Sequence, residues 1–201
     1  MFFIDIQKII DDVKEHKAKK KHLHEVGEQF DKDATSYKEF ANENASCIGS
    51  IEEVVKEINE PDVKGTETTT YAFSENGPVI KKHIQKEEKD GGVTYVYDYT
   101  TYEGYIKPTG DKQAVSGYVQ IMTYHKTLLP KQRLGEEKPQ VQEYNFYEGV
   151  YKNSNGKVVE FDERQEGIEH SGKYGDVVNA FEQSIKKTKE KQQQIQNDIQ
   201  R

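Results

Sequence analysis

Apolar residues recur in alternating steps of four and three along the first quarter of the chain: Phe2, Ile6, Ile9, Val13, His16, Lys20, Leu23, Gly27, Phe30. The same phase runs on through Ala34, Tyr37, Ala41, Asn44, Ile48, Ile51, Val55 and Ile58. A polar residue sometimes takes the seam position, but the spacing is that of a helix burying one stripe. The rhythm returns at the other end as Val178, Phe181, Ile185, Thr188, Gln192, Ile195 and Ile199.

These patterns predict helix over about residues 3–59 and again from about Tyr174 to the end. Glu, Lys, Gln and Ala dominate the first segment, and no proline interrupts it before Pro61, whose ring would stop it. Within it, Asp31-Lys32-Asp33-Ala34-Thr35-Ser36 offers capping residues, with Ser36 and Glu39 at capping-box spacing. A break there predicts a helical hairpin rather than one long helix. The C-terminal helix has a thin seam beyond Lys186 and needs a partner, because isolated helices are marginal in water.

Between about residues 65 and 165 the periodicity changes to short runs rich in Tyr, Val and Thr, separated by turn residues. Asn76-Gly77, Asp90-Gly91-Gly92, Pro108-Thr109-Gly110-Asp111 and Asn153-Ser154-Asn155-Gly156 supply the backbone freedom that hairpins demand. Six antiparallel strands are expected, as a meander or a small barrel. The stretch 128–139 is near the length at which a connection becomes functional, about 12 residues. Its Leu128, Leu129 and Leu134 either cover a sheet end or meet a partner. The expected fold is therefore α+β: a heptad-patterned helical hairpin over 1–62, an inserted β domain over 65–165, and a C-terminal helix over 172–201 completing a bundle or coiled coil.

Apolar residues make up 33% of the 201, against the ~45–50% usual for a compact domain, which suits an elongated molecule. A net charge of −7 gives no reason to expect nucleic acid. The lysines from Lys17 to Lys21 are read as a solvated helix face rather than a membrane-surface contact. A single cysteine, Cys47, excludes an internal disulfide. Charged residues from Asp5 onward interrupt the apolar start too soon for a signal peptide, and no run is long enough to span a membrane. A cytoplasmic protein is expected, with leaderless export left open.

Chemistry-bearing motifs are few. Tyr102-Glu103-Gly104 is echoed by Tyr147-Glu148-Gly149, which is either a duplicated binding unit with two paired carboxylates or two strands converging on similar residues. Eleven of the 13 tyrosines lie in the β segment, so alternation must turn some of them outward. Tyr97, Tyr99, Tyr102 and Tyr124, with Glu103, Glu148, Leu128, Leu129 and Leu134, are the candidate partner-binding residues. His16, His22 and His24 do not share a helix face, and no metal site or cofactor is expected. Phosphate loops, nucleophile elbows and paired-cysteine signatures are missing, so no catalytic residue is assigned.

The expected function is non-catalytic: a protein–protein interaction module or adaptor subunit, self-associating or within a larger assembly. Its helices would serve as stalk and its tyrosine-bearing sheet as recognition surface. Two alternatives remain: an acidic inhibitor or immunity-type protein that blocks a toxin or defence enzyme, and a β-barrel holding a small ligand.

Overall fold

A computed structural model describes residues 6–107, 115–130, 135, 142–166 and 172–201. The first helix, α1 (Ile6–Glu43), is continuous, about 57 Å long at ~1.5 Å per residue. The expected hairpin break at 31–36 does not form. Thr35 Oγ1 donates back to the Asp31 carbonyl at 2.9 Å, inside the helix, instead of capping a new one. The aspartates there have other partners: Asp33 accepts from Gln120 Nε2 at 2.9 Å and Asp31 from Lys152 Nζ at 2.6 Å.

The helix stops at Glu43, well before Pro61. Asn44 sends both its backbone N–H and its side-chain amide to the Phe40 carbonyl. A short turn of 3-10 helix, Ala45–Cys47, follows. Gly49, at φ +90, then redirects the chain and donates its N–H to the Phe73 carbonyl at 2.7 Å. Ile51, Val55 and Ile58, which continue the heptad phase on paper, belong instead to strand β1 (Ile51–Glu60). Two adjacent β-branched residues, Val54 and Val55, favour a strand over a helix there.

The remaining strands are β2 (Val63–Ser74), β3 (Gly77–Asp90), β4 (Val93–Ile106), β5 (Gly117–Pro130), β6 (Gln142–Lys152) and β7 (Val158–Asp162). Among the described residues they form one antiparallel sheet in chain order, β1 to β7, with no β1–β7 pairing, so the meander is open rather than a closed barrel. Four residues of helix, α2 (Glu163–Glu166), follow β7, and α3 (Gly172–Ile199) ends the fold. Hairpins sit at the expected Asn76-Gly77, Asp90-Gly91-Gly92 and Asn153–Gly156 positions; the turn expected at 108–111 lies outside the described residues.

The register shows where the helices lie. Tyr71 and Phe73 turn their rings to Phe40 of α1, whereas Ala72 between them is fully buried in the cluster that contains Phe181 and Ile185 of α3. Side chains alternate across a strand, so α1 and α3 occupy opposite faces of the sheet. This overturns the expected helical bundle: the sheet separates the two apolar seams, and each packs on it. On α1 the buried stripe is Phe30 and Tyr37, flanked by half-buried Val26, Ala34, Phe40 and Ala41. On α3 it is Tyr174, Val177, Phe181, Ile185 and Thr188.

Both helices cross the same end of the strands. α1 passes from Phe73 and Pro78 over Tyr118 and Lys152 to Val158 and Glu160. α3 passes from Phe161 and Tyr151 over Tyr102 to Glu75. The main core lies between α3 and the sheet and includes Val79, Val119, Ile121 and Phe161. Towards the Asp62 and Asp90–Gly92 turns the sheet continues, with residues such as Lys56, Gln85, Glu87 and Lys89 exposed.

Candidate functional site

The α1 side of the sheet carries two cross-strand rows beside the helix. One is Tyr71, Ile80, Glu103, Gln120, Val150 and Glu160; the next is Thr69, Lys82, Thr101, Met122, Glu148 and Asp162. With Val26 and Phe40 of α1 they line a groove of about 900 Å³. Its floor is the pleated sheet and its wall is the helix.

Farther along the same face, three more rows bring aromatic rings together. Tyr99, Tyr124 and Phe146 are cross-strand neighbours, with centroids 5.9 Å and 4.6 Å apart. Tyr97 adds an edge contact to Tyr124 at 6.2 Å and stacks with Tyr95 at 6.3 Å. Cations lie over these rings: Lys86 over Tyr97 (5.1 Å), Lys126 over Tyr95 and Tyr97 (4.8 and 5.2 Å), and Arg164 over Phe146 (3.9 Å). Tyr95, Tyr97, Tyr99 and Tyr124 are half-buried, leaving ring surface to solvent. The result is an aromatic ladder running out of the groove.

Electrostatics at the groove's two ends differ. Near α1, burial raises the Glu103 carboxyl above its usual range, although a hydrogen bond from Tyr118 Oη at 2.5 Å works against the shift. Gln120 Nε2 bridges Tyr118 Oη (2.8 Å) and Asp33 (2.9 Å), tying that corner together. Burial also raises the hydroxyls of Tyr118 and Tyr37, and the charge of Glu103 adds to both. Near the ladder, burial raises Glu148 even though Arg164 sits 3.0 Å away. Arg164 also meets Asp162 at 2.9 Å.

The structure sorts the sequence candidates. Tyr97, Tyr99 and Tyr124 share the ladder, and Glu103 and Glu148 line the groove. Tyr102 points to the opposite face, where its ring stacks on Phe181 at 5.9 Å and its hydroxyl donates to Glu182 at 2.5 Å. Leu128 lies opposite Tyr95 in the β4–β5 pairing, and Leu129, 39% exposed, is on the other face. Leu134 lies outside the described residues. Tyr95, Phe146, Lys86, Lys126 and Arg164 escaped sequence reasoning. The alternation of Tyr95, Tyr97 and Tyr99 could have found the first, but the others need the register.

On the far face, Asp98 accepts from Gln85 at 3.1 Å and pairs with His83 at 2.7 Å, opposite His125 in the register. Among the described residues no group of side chains is placed to hold a metal ion. Lysines 19 and 21 are exposed on α1 and pair with Glu15 and Glu25 one turn away. No helix among the described residues is long and apolar enough to cross a membrane. Comparison with family models, curated proteins and solved structures finds no match to this chain.

Proposed function

We propose that this protein is a non-catalytic recognition module whose binding surface is the groove beside α1 together with the aromatic ladder that extends it. The observation that carries the reading is the clustering of Tyr95, Tyr97, Tyr99, Tyr124 and Phe146 on the sheet face away from the α3 core, beyond the strand ends that α1 crosses. Aromatic rings fixed by their neighbours bury much apolar surface at little entropic cost, and their hydroxyls tolerate water before binding. A groove continuous with a row of rings fits an extended polypeptide better than a compact small molecule. The open sheet also lacks the enclosed interior that a ligand-binding barrel would need. The partner is accordingly a protein, met in the cytoplasm, where the lone Cys47 stays a thiol.

The test is quantitative affinity capture of the full chain from extract of its native cells, comparing wild type with a Tyr97→Ala/Tyr124→Ala double variant. A stoichiometric partner held by wild type and at least about tenfold depleted on the variant is the expected result. A partner held equally by both would place recognition elsewhere, and a monomer that captures nothing would refute the reading.

A further inference from the structure

The groove's charges are not evenly matched. Of its acids, Glu148 and Asp162 meet Arg164, and Glu160 accepts from His22 at 2.9 Å. Lys82 has Glu67 at 3.7 Å. Glu103 has no ion-pair partner within 4.0 Å among the described residues; its close contact is the neutral hydroxyl of Tyr118. Asp33, joined to the same corner through Gln120, adds negative charge; Lys82, in the next row and paired with Glu67, opposes it from beyond ion-pair distance.

That carboxylate is also fixed in place. The Tyr118 ring lies 5.2 Å from both Phe30 and Tyr37, and Tyr37 Oη is anchored on the Pro78 carbonyl at 2.6 Å. The phenol that donates to Glu103 is thus packed between two rings of α1. A carboxylate offers about four lone-pair directions, and Tyr118 uses one. Glu103 lines the groove together with Tyr71, Phe40, Ile80 and Met122. A held carboxylate beside aromatic and aliphatic walls suits a cation on an apolar stem.

We propose that the α1 end of the groove receives an arginine or lysine side chain of the bound polypeptide, with Glu103 as its counter-charge. This rests on the groove being the recognition site and specifies what it recognises there. The stem lies along Ile80 and Met122, and the charged head reaches Glu103 beside Asp33. Lys86 and Lys126 lie over the rings at the ladder end, away from Glu103.

The experiment is an NMR titration of the full chain with the blocked peptide Ac-(Arg-Gly)3-NH2, and with Ac-(Gln-Gly)3-NH2 as control. The arginine peptide should shift the resonances of Glu103, Gln120 and Tyr71, the glutamine peptide should not, and Glu103→Gln should weaken the effect about tenfold. Equal response to both peptides, arginine-dependent shifts confined to other residues, or an unchanged response in Glu103→Gln would overturn the proposal. Partner capture separates the two readings. If the Tyr97/Tyr124 variant loses the partner while Glu103→Gln keeps it, recognition stands and the cation pocket falls. If the Tyr97/Tyr124 variant keeps the partner, the recognition reading falls itself.

Discussion

The ring of Phe181 lies directly over Gly104: a β-carbon on that glycine would sit 2.8 Å from Phe181 Cε1 and 3.3 Å from the Pro78 carbonyl oxygen. The helix can settle this close to β4 only because the strand has no side chain there. Gly104→Ala should force α3 outward and cost about 1–3 kcal/mol, the range for overpacking a filled core. Chemical denaturation should show a lower midpoint, with groove binding preserved, since Glu103 faces the other way.

Gly149 repeats the device two strands away, on β6. A β-carbon there would meet the Gln120 carbonyl oxygen at 2.2 Å and Phe161 Cζ at 2.7 Å. Backbone can yield less than a side chain, so Gly149→Ala should destabilise more than Gly104→Ala. The same denaturation series gives the order directly, and the reverse order would contradict this account of the two seats.

The Tyr-Glu-Gly echo gains a physical meaning from these contacts. In both copies alternation sends Glu into the groove and Gly to the α3 face, where Gly104 seats Phe181 and Gly149 seats Phe161. The echo itself was legible as a pattern, and the α+β composition and three of the hairpin turns were legible as well. The helical bundle was misread for a specific reason. A stripe at four-three spacing records that one face is buried but not whether a helix or a sheet buries it. Phe30 and Tyr37 would look the same in either case. The heptad phase also ran by coincidence into Ile51, Val55 and Ile58, across a turn whose sign was Gly49. Placing Tyr102 with Tyr97 and Tyr99 failed on parity: 97 and 99 share a face, and 102 lies on the other. The pairing of Glu103 with Tyr118 and of Phe146 with Tyr124 depends on register, which no local sequence pattern specifies.

The two halves of α1 should differ in stability. Residues 10–25 are exposed, including Ile10 at 41%, Val13 at 47% and Leu23 at 45%, whereas Phe30 and Tyr37 are buried. Helix without packing is held only by its own marginal propensity. Native-state hydrogen exchange should therefore show amides from Asp12 to Lys21 exchanging orders of magnitude faster than those from Phe30 to Phe40. Uniform protection along the helix would mean that a second surface covers the N-terminal half.

Glu103 and Asp98 should give stability opposite dependences on pH. Burial holds the Glu103 carboxyl above its ordinary value of 4.5 in the folded chain. Between 4.5 and its folded pKa the native state carries more protons than the unfolded one, so its contribution is complete below 4.5 and is lost as pH rises through the folded value. At Asp98, burial pushes the carboxyl up, but the hydrogen bonds from Gln85 and His83 and the nearby imidazoles outweigh it, and it ends below 3.8. Its contribution is present above 3.8 and disappears as pH falls through the lower folded value. Glu103→Gln keeps an acceptor for Tyr118 without the buried charge. It should match wild type near pH 4 and become the more stable protein as pH rises to 7. Asp98→Asn should be destabilised at neutral pH and converge on wild type in acid. Thermal unfolding of the three proteins from pH 3 to 8 tests both signs. A Glu103→Gln variant that is less stable than wild type at pH 7 would show that its carboxylate is satisfied within the chain, leaving no deficit for a partner's cation to fill.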